Sequence, residues 1–312
     1  MDAPAAARDA ALSSEAATLR PDGSAWRRAR DNWSVRLGAG ALLALAFIAV
    51  AAPWLGTVDP TLFDAASRDL VPGGSGYIVT LDGQTLRHTF VFGSDSYGRD
   101  VYSRVLYGTR VSLFVGIVTA LLALAFGIVS GLAAGYLRWV DGVLMRVMDG
   151  IMAIPAILIA IALVAMWRAS LATVIIAIAI PAIPRVTRLV RSLVLTIREE
   201  PYVEAAVSLG TPTWKIMFGH ILPNTIAPLL VQGTFVCASA ILVESILSFL
   251  GVGLPPDIPT WGNIMAEGRV QFNEYPHNVF FPGIFLAVTV LAVNILGDGL
   301  RDTLDPKMAK RV

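Results

Sequence analysis

The stretch "REEPYVEAAVSLGTPTWKIMFGHILPN", residues 198–224, is charged and interrupted by Gly and Pro, yet it lies between two strongly apolar segments. Pro201 suits the first position of a helix, and Gly210 can adopt the left-handed conformation that ends one. Thr211 is placed to cap a second helix, which is expected to end near Pro223. The stretch therefore predicts two short helices at an angle to each other, a folded element rather than a linker.

One face of these two helices is expected to be apolar. Its members are Tyr202, Ala206, Leu209, Trp214, Met217 and Phe218. A patch of this size is larger than a soluble surface normally leaves open, so we expect another surface to cover it. At this point the covering surface is either the membrane or a second protein, and the pattern favours a protein.

The composition of the chain is that of a membrane protein. Its 312 residues are 55% hydrophobic and only 15% charged, whereas soluble domains carry about 25% charged residues. A net charge of +1 gives no basis for nucleic-acid binding. The single cysteine, Cys237, excludes an internal disulfide and is interpreted as a small packing residue.

Charge-free windows predict an all-α integral membrane fold with six transmembrane helices, because a helix needs about 20 apolar residues to cross the hydrocarbon core. The predicted spans are 37–56, 111–137, 150–167, 169–184 (continued through "RVTRLV"), 221–243 (continued to about 254) and 278–297. Pro155, Pro181 and Pro184 are expected to bend the third and fourth spans. The first span is predicted to be a retained anchor, because a long polar segment precedes it.

The distribution of Lys and Arg predicts the orientation. Of the 24 Lys and Arg residues, 17 fall on the side of the N-terminus when the six spans are threaded through the membrane. Because Lys and Arg accumulate on the cytoplasmic side, both termini and the stretch 198–224 are predicted to be cytoplasmic.

These patterns predict five parts along the chain. They are a cytoplasmic tail (1–35), the first transmembrane helix (36–57), an extracytoplasmic loop (58–109), a five-helix core (110–300) with a folded inner loop at 199–222 and an outer loop at 251–281, and a cytoplasmic tail (301–312). Turn residues around "YIVT" predict a β-hairpin in the first outer loop. The second outer loop is expected to contain a short helix at 261–270. Residues 1–20 lack apolar periodicity and are expected to be dispensable.

Three polar residues lie within the predicted spans. Glu244 either lines a pathway through the membrane or hydrogen-bonds to a neighbouring helix, and the second interpretation is favoured. Gln232 and Asn294 are expected to hydrogen-bond between helices, and all three residues are kept as candidates for lining a pathway. The glycines that recur every four residues in the second span, and that predict close packing within the fold, are Gly127, Gly131 and Gly135.

Two kinds of site find no support in the sequence. A phosphate-binding loop needs Gly-Lys-Ser/Thr, but Lys215, Lys307 and Lys310 follow Trp, Pro and Ala. The chain is therefore not expected to hydrolyse ATP by that route. The histidines, which stand at positions 88, 220 and 277, have no metal-ligand spacing, and no metal site is predicted.

The stretch 198–224 resembles the EAA motif of ABC-importer permeases, which reads E-A-A, three residues, Gly, nine residues and I-x-L-P. The residues in register are Glu204, Ala205, Ala206, Gly210, Leu222 and Pro223, while His220 stands where the motif has Ile. In such permeases this element docks into a cleft of the ATPase subunit. The resemblance therefore implies a coupling loop at 199–222, to which Thr211 also belongs, covered by another protein.

Four further fragments resemble the peptide/nickel subgroup of these permeases, and specifically its C-type subunit. They are "GSDSYGRDVYSRVLYGTRVSL" (93–113), "ESILSFLGVGL" (244–254), "WGNIMAEGR" (261–269) and "LGDGLRDTLDP" (296–306). The resemblance implies a type I importer in the bacterial cytoplasmic membrane. Its partners would be a second permease subunit, two ATPase subunits that bind ATP and Mg²⁺, and an extracytoplasmic solute-binding protein. This chain would hold no cofactor.

The implied activity is import of di- or oligopeptides by alternating access, with a nickel–chelate importer as the alternative within the family. An ATP-independent secondary transporter is the alternative from another class. The folded loop at 199–222 and the absence of an inverted sequence repeat speak against it.

Four outer residues are candidates for contacting the binding protein or forming a gate. They are Asp95, Arg99, Asp100 and Trp261. The three charged residues suit a local salt-bridged cap equally well, and the sequence leaves both interpretations open.

Overall fold

The long charge-free segments form long helices. The computed structural model describes residues 30–80 and 82–304. Most of both predicted tails lies outside the described residues, and so does the segment 1–20 that is expected to be dispensable. The helices are α1 (Trp33–Ala51), α2 (Val101–Tyr136), α3 (Arg138–Met152), α4 (Ala156–Met166), α5 (Leu171–Ile197), α6 (Pro201–Ser208), α7 (Thr213–Ile216), α8 (Leu222–Phe249), α9 (Trp261–Gly268) and α10 (His277–Leu304). Two strands, β1 (Gly74–Val79) and β2 (Thr85–Phe90), and four short 3₁₀ or π-helical turns make up the other regular structure of the described residues.

Five helical segments are long and apolar enough to cross a membrane. They are Trp33–Trp54, α2, α5, Thr213–Phe249 and α10. A sixth span is counted if α3 and α4, which meet at 87°, act as one broken span. The bend expected at Pro155 in the third span is therefore present, but the broken pair begins earlier than the predicted bounds 150–167, because the first of those residues belong to α3. The break falls at Pro155, whose ring disfavours helical backbone at the preceding residue.

Several predicted helix boundaries shift in the structure. The helix α2 begins at Val101, before the predicted start of the span, because the Asp100 side chain accepts a hydrogen bond from the Ser103 amide (2.9 Å) and caps it. Helix α5 runs unbroken through Pro181 and Pro184 and continues to Ile197, as expected from the extension through "RVTRLV".

Helices α2 and α5 form the centre of the bundle and run parallel. The three glycines of α2 face three valines of α5 in the same order, Gly127 against Val186, Gly131 against Val190 and Gly135 against Val194. A Cβ on any of these glycines would lie 2.4 to 2.6 Å from a valine side-chain atom, which is closer than real contacts allow. The glycine repeat therefore packs within the fold, as predicted.

Helix α10 joins α1 and α8 to this centre. A Cβ on Gly38 of α1 would lie 2.6 Å from the backbone nitrogen of Leu296, and one on Gly297 would lie 2.3 Å from the Thr234 hydroxyl. The first approach brings two backbones together and the second sets a glycine against a threonine side chain, and such small residues at helix contacts are typical of membrane helices.

The predicted β-hairpin is present at one end of the bundle, which we call the hairpin end. Its strands are antiparallel, pairing Gly74 with Phe90 and Val79 with Thr85. The Ser67 hydroxyl accepts a hydrogen bond from the Tyr77 amide and donates one to the Tyr77 carbonyl, both at 2.8 Å. Strand β1 starts earlier than the "YIVT" pattern indicates, because the glycines before Tyr77 also pair.

Candidate functional site

The two-helix segment (residues 199–222) turns at Gly210. This residue has a φ of 73°, and its amide donates to the Val207 carbonyl (2.9 Å) while the Thr211 amide donates to the Ala206 carbonyl (3.1 Å). The two bonds form a Schellman motif, which satisfies the last carbonyls of α6. The space around Gly210 is open, so backbone conformation rather than packing requires glycine here. The predicted left-handed turn is confirmed.

Two details of the segment differ from the prediction. The N-cap of α7 is Pro212 rather than Thr211, and no side chain caps it. Pro223 does not end the helix, because a π-turn at Met217–Ile221 leads directly into α8, with the Leu222 amide bonded to the Met217 carbonyl. The wider turn leaves room for the proline ring, which would otherwise clash with a carbonyl of the preceding turn.

The segment has two apolar faces instead of the single one predicted. Its inner face packs into a buried cluster with Leu132, Val190 and Val194. The inner residues are Val203, Ala206, Ile216 and Ile221, with Met217 packed against them. Ala206 and Met217 therefore belong to the inside of the molecule, which holds the segment rigidly against α2 and α5.

The outer face of the segment stays uncovered in the isolated chain. Leu209 is 85% exposed, Trp214 61%, Phe218 57% and Tyr202 45%. Glu204 and Ala205 are exposed on α6, and Pro223 is exposed at the start of α8, where Leu222 is half-buried. We call the set Tyr202, Leu209, Trp214 and Phe218 the exposed aromatic–aliphatic face. Its size marks it as a surface for a partner.

Two hydrogen bonds tie the segment to the spans on either side. The Asn224 side-chain amide donates to the His220 carbonyl (2.7 Å) and to the Tyr202 hydroxyl (3.2 Å), linking α8 to α6. The Arg198 guanidinium donates to the Gly135 carbonyl (3.2 Å) at the end of α2. The segment is therefore in direct contact with the ends of α2 and α8.

A buried ion-pair cluster lies at the hairpin end. Arg99 Nε lies 2.7 Å from Asp95 Oδ2, and a second guanidinium nitrogen of Arg99 contacts the Glu267 carboxylate. Arg104 reaches the same Glu267 carboxylate at 3.3 Å and Asp95 at 3.9 Å. The four side chains are almost completely buried. They lock the start of α2 to α9.

The electrostatics of this cluster reflect burial opposed by ion pairing. Burial raises the pKa of the Glu267 carboxyl above its ordinary value, against the opposing effect of Arg104 and Arg99. Burial by itself would lower the pKa of the Arg99 guanidinium, but Asp95 and Glu267 outweigh it and the net shift is upward. Both carboxylates thus stabilise the charged form of the Arg99 guanidinium.

All four outer candidates are buried in the isolated chain, so none offers an exposed surface to the binding protein, and their role as a gate stays a prediction. Asp95, Arg99 and Asp100 lie inside the cap, so the structure has the local salt-bridged arrangement. Trp261 is also fully buried, and its indole Nε1 donates to the Val105 carbonyl (3.2 Å). Buried groups of this kind position the outer surface and do not present themselves to another protein.

Sequence reasoning did not single out Arg104 or Glu267. Both lie in the fragments that carry the family resemblance. Their pairing has no local signal in the sequence, because Arg99 and Glu267 are 168 positions apart. A cavity of about 390 Å³ opens beside the cluster, lined by Glu267, Asn263, Ser248 and Tyr97 among others.

The three membrane candidates lie in different surroundings. Glu244 is completely buried, and the Ser248 hydroxyl donates to its carboxylate at 2.8 Å while accepting from the Leu254 amide at 3.3 Å. Gln232 is partly buried, and its amide nitrogen has no hydrogen-bond partner among the described residues. Asn294 is exposed on α10, so the expectation that it bonds between helices of this chain is wrong.

Within residues 30–80 and 82–304, no group of three or more His, Cys, Asp or Glu side chains is placed to hold a metal ion.

Long apolar helices define the chain as a membrane-embedded protein, and its two-helix segment carries one uncovered apolar face. The family described as "Binding-protein-dependent transport system inner membrane component" matches residues 123–310, and the chain belongs to it. The predicted resemblance to ABC-importer permeases, and with it the type I importer permease fold, is thereby confirmed.

Curated relatives cover most of the chain. It is 48% identical over 285 residues to "Probable peptide ABC transporter permease protein y4tQ" of Sinorhizobium fredii, covering 91% of this chain and 93% of the relative. It is 45% identical over 229 residues to "Dipeptide transport system permease protein DppC" of Alkalihalophilus pseudofirmus, covering 73% and 75%. It is 40% identical over 285 residues to "Glutathione transport system permease protein GsiD" of Salmonella typhimurium, covering 91% and 89%.

Proposed function

We propose that this chain is one of two permease subunits of an ATP-driven importer that carries short peptides delivered by a solute-binding protein. Family membership and relatives named for peptide, dipeptide and glutathione transport support the substrate class. A nickel–chelate importer stays the alternative within the family, and an ATP-independent transporter the alternative outside it. No relative reported above is named for either.

The observation that carries the proposal is the exposed aromatic–aliphatic face of the two-helix segment. Tyr202, Leu209, Trp214 and Phe218 face outward while the opposite face is packed into the bundle. An apolar surface held this rigidly fits a cleft in a partner ATPase, which would bind ATP and Mg²⁺. Glu204, Ala205, Gly210, Thr211 and Pro223 belong to the same contact region.

The segment would convert ATPase movement into alternating access. It is continuous with α8 through the π-turn, and Arg198 and Asn224 tie it to its neighbours. A push on the segment therefore tilts α5 and α8 relative to a second permease subunit. Glu244 is proposed to hold the loop after α8 through Ser248, while Gln232 and Asn294 remain candidates for the pathway.

The Lys and Arg distribution supports an orientation in the bacterial inner membrane with both termini and the two-helix segment in the cytoplasm. The hairpin end then faces the solute-binding protein. The buried cluster of Asp95, Arg99 and Glu267 is proposed to fix the shape of that outer surface. The binding protein would meet exposed neighbours such as Tyr97.

The test is reconstitution of the complete transporter with its ATPases and solute-binding protein in liposomes, with ATP-dependent uptake of labelled trialanine as the readout. Leu209→Asp is expected to abolish co-purification of the ATPases, because it places a charge in the proposed contact. Val270→Asp is the matched control, since Val270 is equally exposed but lies in the outer loop. Normal ATPase binding by Leu209→Asp, or uptake without ATP, would contradict the proposal.

A further inference from the structure

Helix α5 carries three arginines at intervals of three residues, and two of them pair with acids in the part of the chain that the structure describes. Arg188 lies 2.6 Å from Asp149, and Arg191 forms a two-pronged ion pair with Asp141. Both acids belong to α3. Among the described residues, no carboxylate lies within ion-pair distance of Arg185, which is exposed on the surface of α5.

Arg185 lies at the middle depth of the bundle. Its neighbour Val186 packs against Gly127 of α2. The nearest charged residues on either side of Gly127 in the sequence are Arg110 of α2 and Arg138 at the start of α3, about 25 Å and about 16 Å away at 1.5 Å per residue. The segment between them is longer than a hydrocarbon core about 30 Å thick, so Arg185 lies beside the part of α2 that crosses the membrane.

An arginine at this depth is expensive to maintain next to lipid and normally faces a bundle interior or a water-filled cavity. Arg185 lines a cavity that has a volume of about 210 Å³ and lies between α4, α5 and α8. Its other walls are mostly small and apolar, and include Ile178, Pro181, Val236 and Ser239. Ala156, the first residue of α4, also lines it.

The guanidinium is held by an aromatic ring instead of an acid. Its central carbon lies 5.5 Å from the centroid of the Phe235 ring on α8. In such a cation–π contact the ring face attracts the guanidinium, and the edge of the guanidinium stays free to donate hydrogen bonds. The free edge suits a planar anion, because a carboxylate accepts two parallel bonds from it.

We infer that Arg185 binds the terminal carboxylate of the peptide during its passage through the membrane. This inference rests on the proposed function. Peptides differ in their side chains but share a terminal carboxylate, so a single fixed cation can recognise all of them. The apolar walls tolerate varied side chains, and the cavity is large enough for one terminal residue rather than a whole peptide.

The test uses the complete transporter in liposomes with saturating solute-binding protein, and compares trialanine with trialanine amide. Arg185→Gln is expected to lower trialanine uptake at least about tenfold, the scale of one lost charged hydrogen bond, while uptake of the amide changes less than about twofold. Arg185→Lys should retain part of the preference because it keeps the charge. Arg188→Gln, one turn away and paired with Asp149, should affect neither probe.

A second measurement tests the inference even if the wild-type transporter does not import trialanine amide. Ser239→Cys in a Cys237→Ser background places a thiol in the same cavity. Trialanine is expected to slow its alkylation by N-ethylmaleimide during turnover, and to lose this effect when Arg185→Gln is added.

Three outcomes would overturn the inference. Equal loss of both probes would show that Arg185 pairs with the second permease subunit or serves folding. If Arg185→Gln changes neither trialanine uptake nor the protection of the thiol at position 239 from alkylation, the Arg185 side chain reaches lipid headgroups instead. Failure of the wild-type complex to import any peptide would contradict the proposed function itself, and the inference with it.

Discussion

Gly131 of α2 faces Val190 of α5 so closely that a Cβ on the glycine would lie 2.5 Å from the valine Cβ. This contact is the middle one of three that hold the parallel pair α2 and α5 together. The same pair supports the two-helix segment from within, because Val190 and Val194 also pack against its inner face. The spacing of small residues thus sets the packing that supports the proposed coupling segment.

Gly131→Ala is expected to destabilise the protein by about 1–3 kcal/mol, because backbone and valine atoms leave no room for the added methyl group. Gly142→Ala is the matched control, since Gly142 is also helical and has nothing within 4 Å of the added Cβ. That change should be neutral or slightly stabilising. Thermal unfolding in detergent measures both, and an equal melting temperature for the two variants would contradict the packing role.

Gly210→Val is expected to uncouple ATP hydrolysis from transport without unfolding the spans. Valine at a φ of 73° costs more than about 1 kcal/mol, which distorts the turn between α6 and α7. Gly210→Asn should retain most coupling, because asparagine tolerates the left-handed region. The readouts are ATPase pull-down and peptide-stimulated ATPase activity, and wild-type behaviour of the valine variant would refute the assignment of this turn.

Glu204→Lys is expected to weaken ATPase binding while leaving thermal stability within about 0.5 kcal/mol of wild type, because Glu204 is exposed. It reverses a charge in the first turn of α6 on the proposed contact surface. Glu274→Lys, an exposed acid in the outer loop, serves as control and should bind the ATPases normally. Indistinguishable pull-downs for the two variants would place the contact elsewhere.

Glu244→Gln is expected to assemble normally and to transport within about twofold of wild type, because glutamine still accepts the Ser248 hydrogen bond. Uptake per assembled complex is the measurement. A fall of an order of magnitude with normal assembly would assign Glu244 to the translocation pathway instead.

Glu267→Gln is expected to destabilise the hairpin end by about 3–5 kcal/mol, because it removes the shared carboxylate of two buried arginines. Asp149→Asn breaks the exposed ion pair with Arg188 and should cost only about 0–1 kcal/mol. Proteolytic sensitivity of the outer loops and thermal unfolding compare the two. Similar stabilities would show that the cluster adds nothing beyond a surface ion pair.

Local patterns in the sequence predicted the features that depend on neighbouring residues. Apolar runs predicted the spans, the Gly–Pro spacing of 198–224 predicted the turn at Gly210, and the four-residue glycine repeat predicted the close packing of α2. Each of these follows from backbone conformation or helix periodicity. Where two local signals competed, as at Pro223, the prediction failed because a π-turn accommodates the ring without ending the helix.

Only the tertiary structure decided which charges are neutralised. The sequence leaves Asp95, Arg99 and Asp100 open between an outer contact surface and a local salt-bridged cap, but the fold brings Glu267 to Arg99 across 168 residues and buries the group. It likewise pairs Arg188 and Arg191 with acids of α3 while leaving Arg185 beside a cavity. Periodicity places a side chain on a helix face, but the charge opposite it depends on how distant helices pack, and no local pattern encodes that distance.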